Sequence, residues 1–286
     1  MGAGEGETGT AIDRTLFAVA PPAWQHPWHG PVPEDAPRLS EVHAVHDRYV
    51  VDVVEARSLC PFARKCREMG RLHRIPFVAG DGVPSPAAVA TALAETVQAH
   101  PDAEIVLLVV VPPATHPFWA SDRFDGFTRE VRMAYDVARR GDPTLPRFYA
   151  VSFHPLPPAP SAPPTPENLV PTLRRSPDPL IQCVRADMLD ALRAESQRAA
   201  RERLERELAA IDPSLRAQFG KAILTDPELS SDIARHNFES SGTGAARADL
   251  EATLDRIFAE RCRRYPEAYV PAAFDEDRTP RRTAGL

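Results

Sequence analysis

The 286-residue chain reads as an α/β protein, with a small, mostly parallel sheet of three or four strands flanked by helices and an α-helical C-terminal extension. Three observations carry this reading. Short apolar segments alternate with amphipathic ones between residues 40 and 153. The longest apolar run, Ile105 to Val111, has the length of a strand. The 31 prolines are segregated: six precede Ser40, ten fall between His154 and Leu180, and only Pro213 and Pro227 lie between Ile181 and Tyr265. An interior proline costs a helix about 3 kcal/mol, so long helices require such segregation.

The elements follow in order. Residues 1–38 carry Pro, Gly and acidic residues without periodicity and read as a flexible arm. Val42, Val45, Tyr49, Val53 and Ala56 recur at helical spacing, which predicts a helix over Ser40 to Ser58. Pro61 suits the first position of a second, short helix ending near Gly70, with Cys60 as its N-cap. Ile75 to Ala79 is a strand whose internal Pro76 argues for an edge position. Ser85-Pro86 opens a helix with Val89, Leu93 and Val97 on one face, and Glu104 to Val111 is a strand suited to burial on both sides. Ser121 starts a helix with Phe124, Phe127, Val131 and Ala134 inward, stopped by Gly141-Asp-Pro143. Arg147 to Phe153 is the third strand, and strands separated by helices predict parallel neighbours. A long charged helix is expected over Leu180 to Ala210, with shorter ones near Ser214–Leu224, Pro227–Ser240 and Ala245–Arg264. The organisation is thus an arm (1–38), an α/β core (39–185) holding the proline-rich loop 154–180, a helical extension (186–266) and a polar tail (267–286).

Composition narrows the function classes. A hydrophobic content of 43% supports a real core. A net charge of −6 gives nucleic-acid binding no electrostatic support. No apolar run approaches a membrane span, and the acidic N-terminus does not resemble a secretory signal. The four cysteines are irregularly spaced and read as thiols of a cytoplasmic protein.

Chemistry is expected at the carboxyl edge of the sheet. A thiol at a helix N-terminus, with Arg64, Lys65 and Arg67 nearby, has a reason to ionise, so Cys60 is the candidate nucleophile. His154, at the end of the third strand, is the candidate base or metal ligand. A buried apolar cysteine and a backbone-satisfied histidine are the competing structural readings. Arg175, beside Arg174, and Arg185 could clamp an anion. The pairs His26/His29 and His43/His46 read as filling, Cys66 as a possible resolving thiol, and Arg198 to Arg206 as a salt-bridged solvent face.

Leu59-Cys-Pro-Phe-Ala63, Ala150-Val-Ser-Phe-His-Pro155, Asn168…Arg175-Ser-Pro-Asp-Pro179 with Arg185, and Ile233-Ala-Arg-His-Asn237 occur in an order that resembles the bacterial domain of unknown function 1415. The resemblance covers about Ser40 to Phe238. Gln182 stands where the family shows a second histidine, with Cys183 beside it. The family supplies no established activity; the leading reading of the residues is a site of Cys60, with His154 as its base and Gln182 as a helper, and Arg175, Ser176, Arg185 and Asn168 around the substrate. Gln is a poor transition-metal ligand, which favours thiol chemistry over a metal centre. The expectation is a thiol-dependent hydrolase or group transferase acting on a small anionic molecule, without a cofactor, a nucleic-acid partner or a membrane. The alternatives are a transition-metal site using Cys60, His154 and Cys183, or a non-catalytic protein that forms oligomers or meets partners through its helical C-terminal part.

Overall fold

A computed structural model describes residues 34–79, 85–156, 165, 173–209 and 229–271. Helix α1 (Leu39–Tyr49) continues into a wider π-helical turn over Val50–Glu55. The helix expected to reach Ser58 stops there, because Ser58 takes a left-handed φ of 53° that turns the chain away. The six-residue α2 (Ala63–Glu68) begins two residues later than Pro61, so Cys60 lies in the bend before it rather than at its cap.

Four strands form one mixed sheet: β1 (Leu72–Val78), β2 (Ile105–Val111), β3 (Phe148–Phe153) and β4 (Leu180–Arg185), in the order β1-β2-β4-β3. β1 and β2 are parallel, and β4 runs antiparallel to both β2 and β3. Three strands therefore point the same way and one opposes them. β1 lies at an edge, where Pro76, which has no N–H to give, is tolerated. β2, buried along its whole length, is central.

β4 occupies residues that the charge pattern assigns to the start of a long helix. Pro179 sets the preceding backbone, and Leu180, Ile181, Cys183 and Val184 supply an apolar segment that pairs on both sides. The helix, α5 (Ala186–Ala209), starts only where the apolar residues end. α3 (Pro86–Ala99) and α4 (Ser121–Gly141) stand where the periodicity places them. α6 (Leu229–Ser241) and α7 (Gly244–Arg264) follow.

The period-two alternation of the strands gives each face its own core. On one face, Ile75, Phe77, Val106, Leu108, Val110, Ile181 and Cys183 pack under α3 and α4 through Val89, Leu93, Phe124, Phe127 and Val131. On the other, Val78, Leu107, Val109, Val111 and Leu180 meet Val42, Val45 and Tyr49 of α1 and Leu254, Ile257 and Phe258 of α7. The last helix is thus part of the core. Among the described residues, no helix is long and apolar enough to cross a membrane.

Candidate functional site

The strand alternation decides which of the expected site residues can meet. Val151, Phe153, Leu180, Gln182 and Val184 point to the α1/α7 side and line a cavity of about 270 Å³. Cys60 lines the same cavity. His154 continues the opposite parity of β3. Its ring lies 6.1 Å from that of Phe124, its Nε2 donates to the Phe118 carbonyl at 2.8 Å, and its Nδ1 accepts the Leu156 N–H at 3.0 Å. Both nitrogens are committed to backbone on the α4 side of the sheet, and burial holds the imidazole below its ordinary pKa. The expected pairing of Cys60 with His154 is not formed; the sheet separates them.

The thiol itself differs from the expectation. Burial pushes Cys60 above the ordinary thiol pKa, and the N–H groups of Phe62 and Ala63 on its sulfur pull the other way without prevailing. α2 is too short and begins too late to supply the expected dipole. Cys66 donates to the Glu104 carboxylate at 3.0 Å and is pushed up to about 12, which does not suit a resolving thiol. Cys183, also pushed to about 12, faces the α4 side. The alternative metal set of Cys60, His154 and Cys183 is therefore split between two faces, and no group of three potential ligands is gathered among the described residues.

The anion-binding set is similarly dispersed. Arg175 stacks over Phe258 at 4.9 Å and faces Asp255 at 4.0 Å, on the α7 side. Ser176 is fully buried and donates to the Asp178 carbonyl at 2.6 Å, closing a turn. Arg185 lies at the far end of β4, about 17 Å along the strand from Leu180, where it bonds the Pro101 carbonyl at 2.6 Å and Asp187 at 3.1 Å. Asn168 lies outside the described residues.

The structure assembles a different set around the cavity. The wall is mostly aliphatic and aromatic, including Val54, Leu107, Phe153 and Leu173, and the polar residues in it are Tyr49, Cys60, Arg174, Gln182 and Asn237. The Arg174 guanidinium has no hydrogen-bonded or ion-paired partner among the described residues. Burial lowers its pKa, and Asp125, at longer range, opposes the effect. Gln182 has no hydrogen-bond partner for its amide among the described residues. The Tyr49 hydroxyl and Asn237 Oδ1 are buried without partners, while Asn237 Nδ2 donates to the Leu59 carbonyl at 3.3 Å and ties α6 to the Cys60 bend. Unsatisfied buried polar atoms are costly, and two of them, with the partly exposed Arg174 and Gln182 side chains that are unpartnered among the described residues, line one apolar cavity, which makes it the candidate ligand site.

A second polar cluster lies beyond the cavity in the same layer. Asp178 is fully buried and receives Arg261 Nε at 2.8 Å, the Tyr265 hydroxyl at 3.0 Å and His46 Nε2 at 3.0 Å. Burial pushes its carboxyl up, but Arg261 and His46 overcome this and hold it below the ordinary value. Arg261 also donates to the Tyr269 carbonyl at 3.0 Å and lies over the rings of Tyr265 and Trp119 at 4.4 and 5.1 Å. The sequence carries a signal for this cluster: Arg261 continues the stripe Leu254–Ile257–Phe258, and His46 falls on the apolar stripe of α1. A charge at a core position needs a buried counter-charge. The Ser176-Pro-Asp178 turn supplies it, which gives that motif a structural role.

Compared with family models, curated proteins and solved structures, the chain matches none of them.

Proposed function

We propose that the protein binds a small, largely apolar molecule bearing an anionic group, with the apolar body against the sheet face and the anion on Arg174. The observation that carries this reading is a half-buried guanidinium in the wall of an aliphatic cavity with no protein partner among the described residues. An unpaired charge there is unfavourable in the free protein and is relieved by an anion of matching shape. A cavity of about 270 Å³ equals the liquid volume of about nine waters, enough for a molecule somewhat larger than benzene. Thermal unfolding with heptanoate and with 1-heptanol tests the reading. Heptanoate raises the midpoint more than the alcohol does, and Arg174→Gln removes the difference. Equal shifts with both compounds in the unaltered protein would sink it.

A second reading, thiol-dependent hydrolysis or group transfer at Cys60, draws on the two backbone N–H groups that meet its sulfur beside the cavity. Among the described residues it lacks the expected base, since His154 is across the sheet. The iodoacetamide rate of Cys60 against pH decides between them. An apparent pKa above the free-thiol value of about 8.5 fits a binding site, and one below it fits thiol catalysis. The free thiols support a cytoplasmic setting. The ordered motifs around Cys60, His154 and Ser176 support kinship with the bacterial domain of unknown function 1415.

A further inference from the structure

Gln182 occupies the floor of the cavity, at a position on β4 opposite Val151. It is partly exposed, and its side-chain amide has no partner among the described residues. An unpaired primary amide offers one face that donates and one that accepts. Aliphatic wall alone would not select such a group at the centre of a sheet face, where Val or Leu would extend the core formed by Leu107, Leu180 and Val184. The neighbouring orphans repeat the pattern: the Tyr49 hydroxyl can donate and Asn237 Oδ1 can accept, and both residues line the same cavity. Tyr49 is only 2% exposed and Asn237 8%, so bulk water does not substitute for a ligand. Arg174 enters near the end of β3, where its carbonyl accepts the His154 N–H at 3.0 Å. That places its backbone three residues beyond Val151, about 10 Å along the strand from the Gln182 row. Both side chains line the same cavity, so they reach one ligand from positions about 10 Å apart.

We infer that the ligand is an apolar acyl amide carrying a carboxylate, such as a short N-acyl amino acid, with Gln182 pairing to its amide and Arg174 to its carboxylate. This rests on the proposed binding of an apolar anion and adds the amide. The N–H of the ligand gives its hydrogen to an amide oxygen of Gln182 or Asn237, and its carbonyl accepts from the Gln182 NH2 or the Tyr49 hydroxyl. The Tyr49 hydroxyl and Asn237 Oδ1 are already dehydrated, so a ligand lacking the complementary group leaves them unpaired and is discriminated against.

The probes are N-butanoylglycine and heptanoate, which have the same chain length and differ by an amide in place of two methylenes. Isothermal titration of the full chain measures both. N-butanoylglycine binds at least about tenfold tighter than heptanoate. The ratio collapses towards one in Gln182→Met, a variant of nearly the same shape. The ester analogue, which has no N–H, binds like heptanoate and keeps the comparison decisive in the unaltered protein if Gln182→Met fails to fold. Equal affinity for the amide and heptanoate, or an amide preference that survives Gln182→Met, overturns the inference while leaving the apolar-anion reading standing. Absence of binding by all three compounds overturns both.

Discussion

The layer between the sheet and helices α1 and α7 contains two arginines in opposite circumstances. Arg261 is fully buried, its charge is answered by Asp178, its Nη1 donates to the Tyr269 carbonyl, and its flat faces meet Tyr265 and Trp119. Arg174 lines a cavity in the same layer and meets no such partner among the described residues. The first pattern fixes a fold, joining the Ser176–Asp178 turn to α1 and α7 through one carboxylate. The second leaves interaction energy unspent, which is the condition for recognising something that is not part of the chain. Burial alone does not separate a structural charge from a functional one; satisfaction of its partners does.

The sharpest way to break this contrast is to remove one member of the closed cluster. Asp178→Ala leaves Arg261 buried without its counter-charge and lowers the unfolding free energy by about 3–5 kcal/mol. Urea unfolding measures this, and a loss below about 1 kcal/mol would mean that water reaches Arg261. Replacing both residues, as Asp178→Leu with Arg261→Met, restores much of the loss, since well-packed apolar groups can replace a buried pair.

Acid provides a smaller perturbation. His43, His73 and His154 are all held below the ordinary histidine value by burial. The unfolded chain therefore binds more protons as pH falls below about 6.5, and stability falls with it. Asp178, whose folded value is depressed, adds stability above about pH 4 that is lost only as pH falls further. Urea midpoints between pH 7 and 5 should thus decline, with a shallower slope in His154→Gln. An unchanged slope would show that His154 is not a neutral, backbone-bound ring.

The smallest expected effect on folding belongs to Arg174. Arg174→Gln changes the unfolding free energy by less than about 1 kcal/mol, with a gain more consistent than a loss, because no partner among the described residues is left unpaired. A loss above about 2 kcal/mol would place Arg174 with Arg261 among the structural charges.

Much of the fold is legible in the sequence for simple reasons. Pro76 marks β1 as an edge, the unbroken run Ile105 to Val111 marks the central strand, and the i, i+3, i+4 pattern marks α3 and α4. β4 is hidden because its six residues, only four of them apolar, run straight into a charged helix, and only pairing with two strands distant in sequence reveals it. The site is legible one residue at a time but not as a set. Cys60 and Gln182 do line the cavity, whereas His154, though equally close to a strand end, falls on the other face by the parity of a single residue. Arg174 and Arg175 cannot be ranked by composition or spacing. Neighbours in sequence, they part in space, one to the cavity and the other to Phe258 and Asp255.

The contrast between the two arginines is tested most directly by the NMR signals of their Nε–H groups, assigned through Arg174→Gln and Arg261→Lys, with and without heptanoate. The account predicts that the Arg261 proton exchanges slowly with water in both states. The Arg174 proton exchanges rapidly in the free protein and becomes slow and shifted when heptanoate is bound. An Arg174 proton already slow in the free protein, or one that heptanoate leaves unmoved, would contradict it.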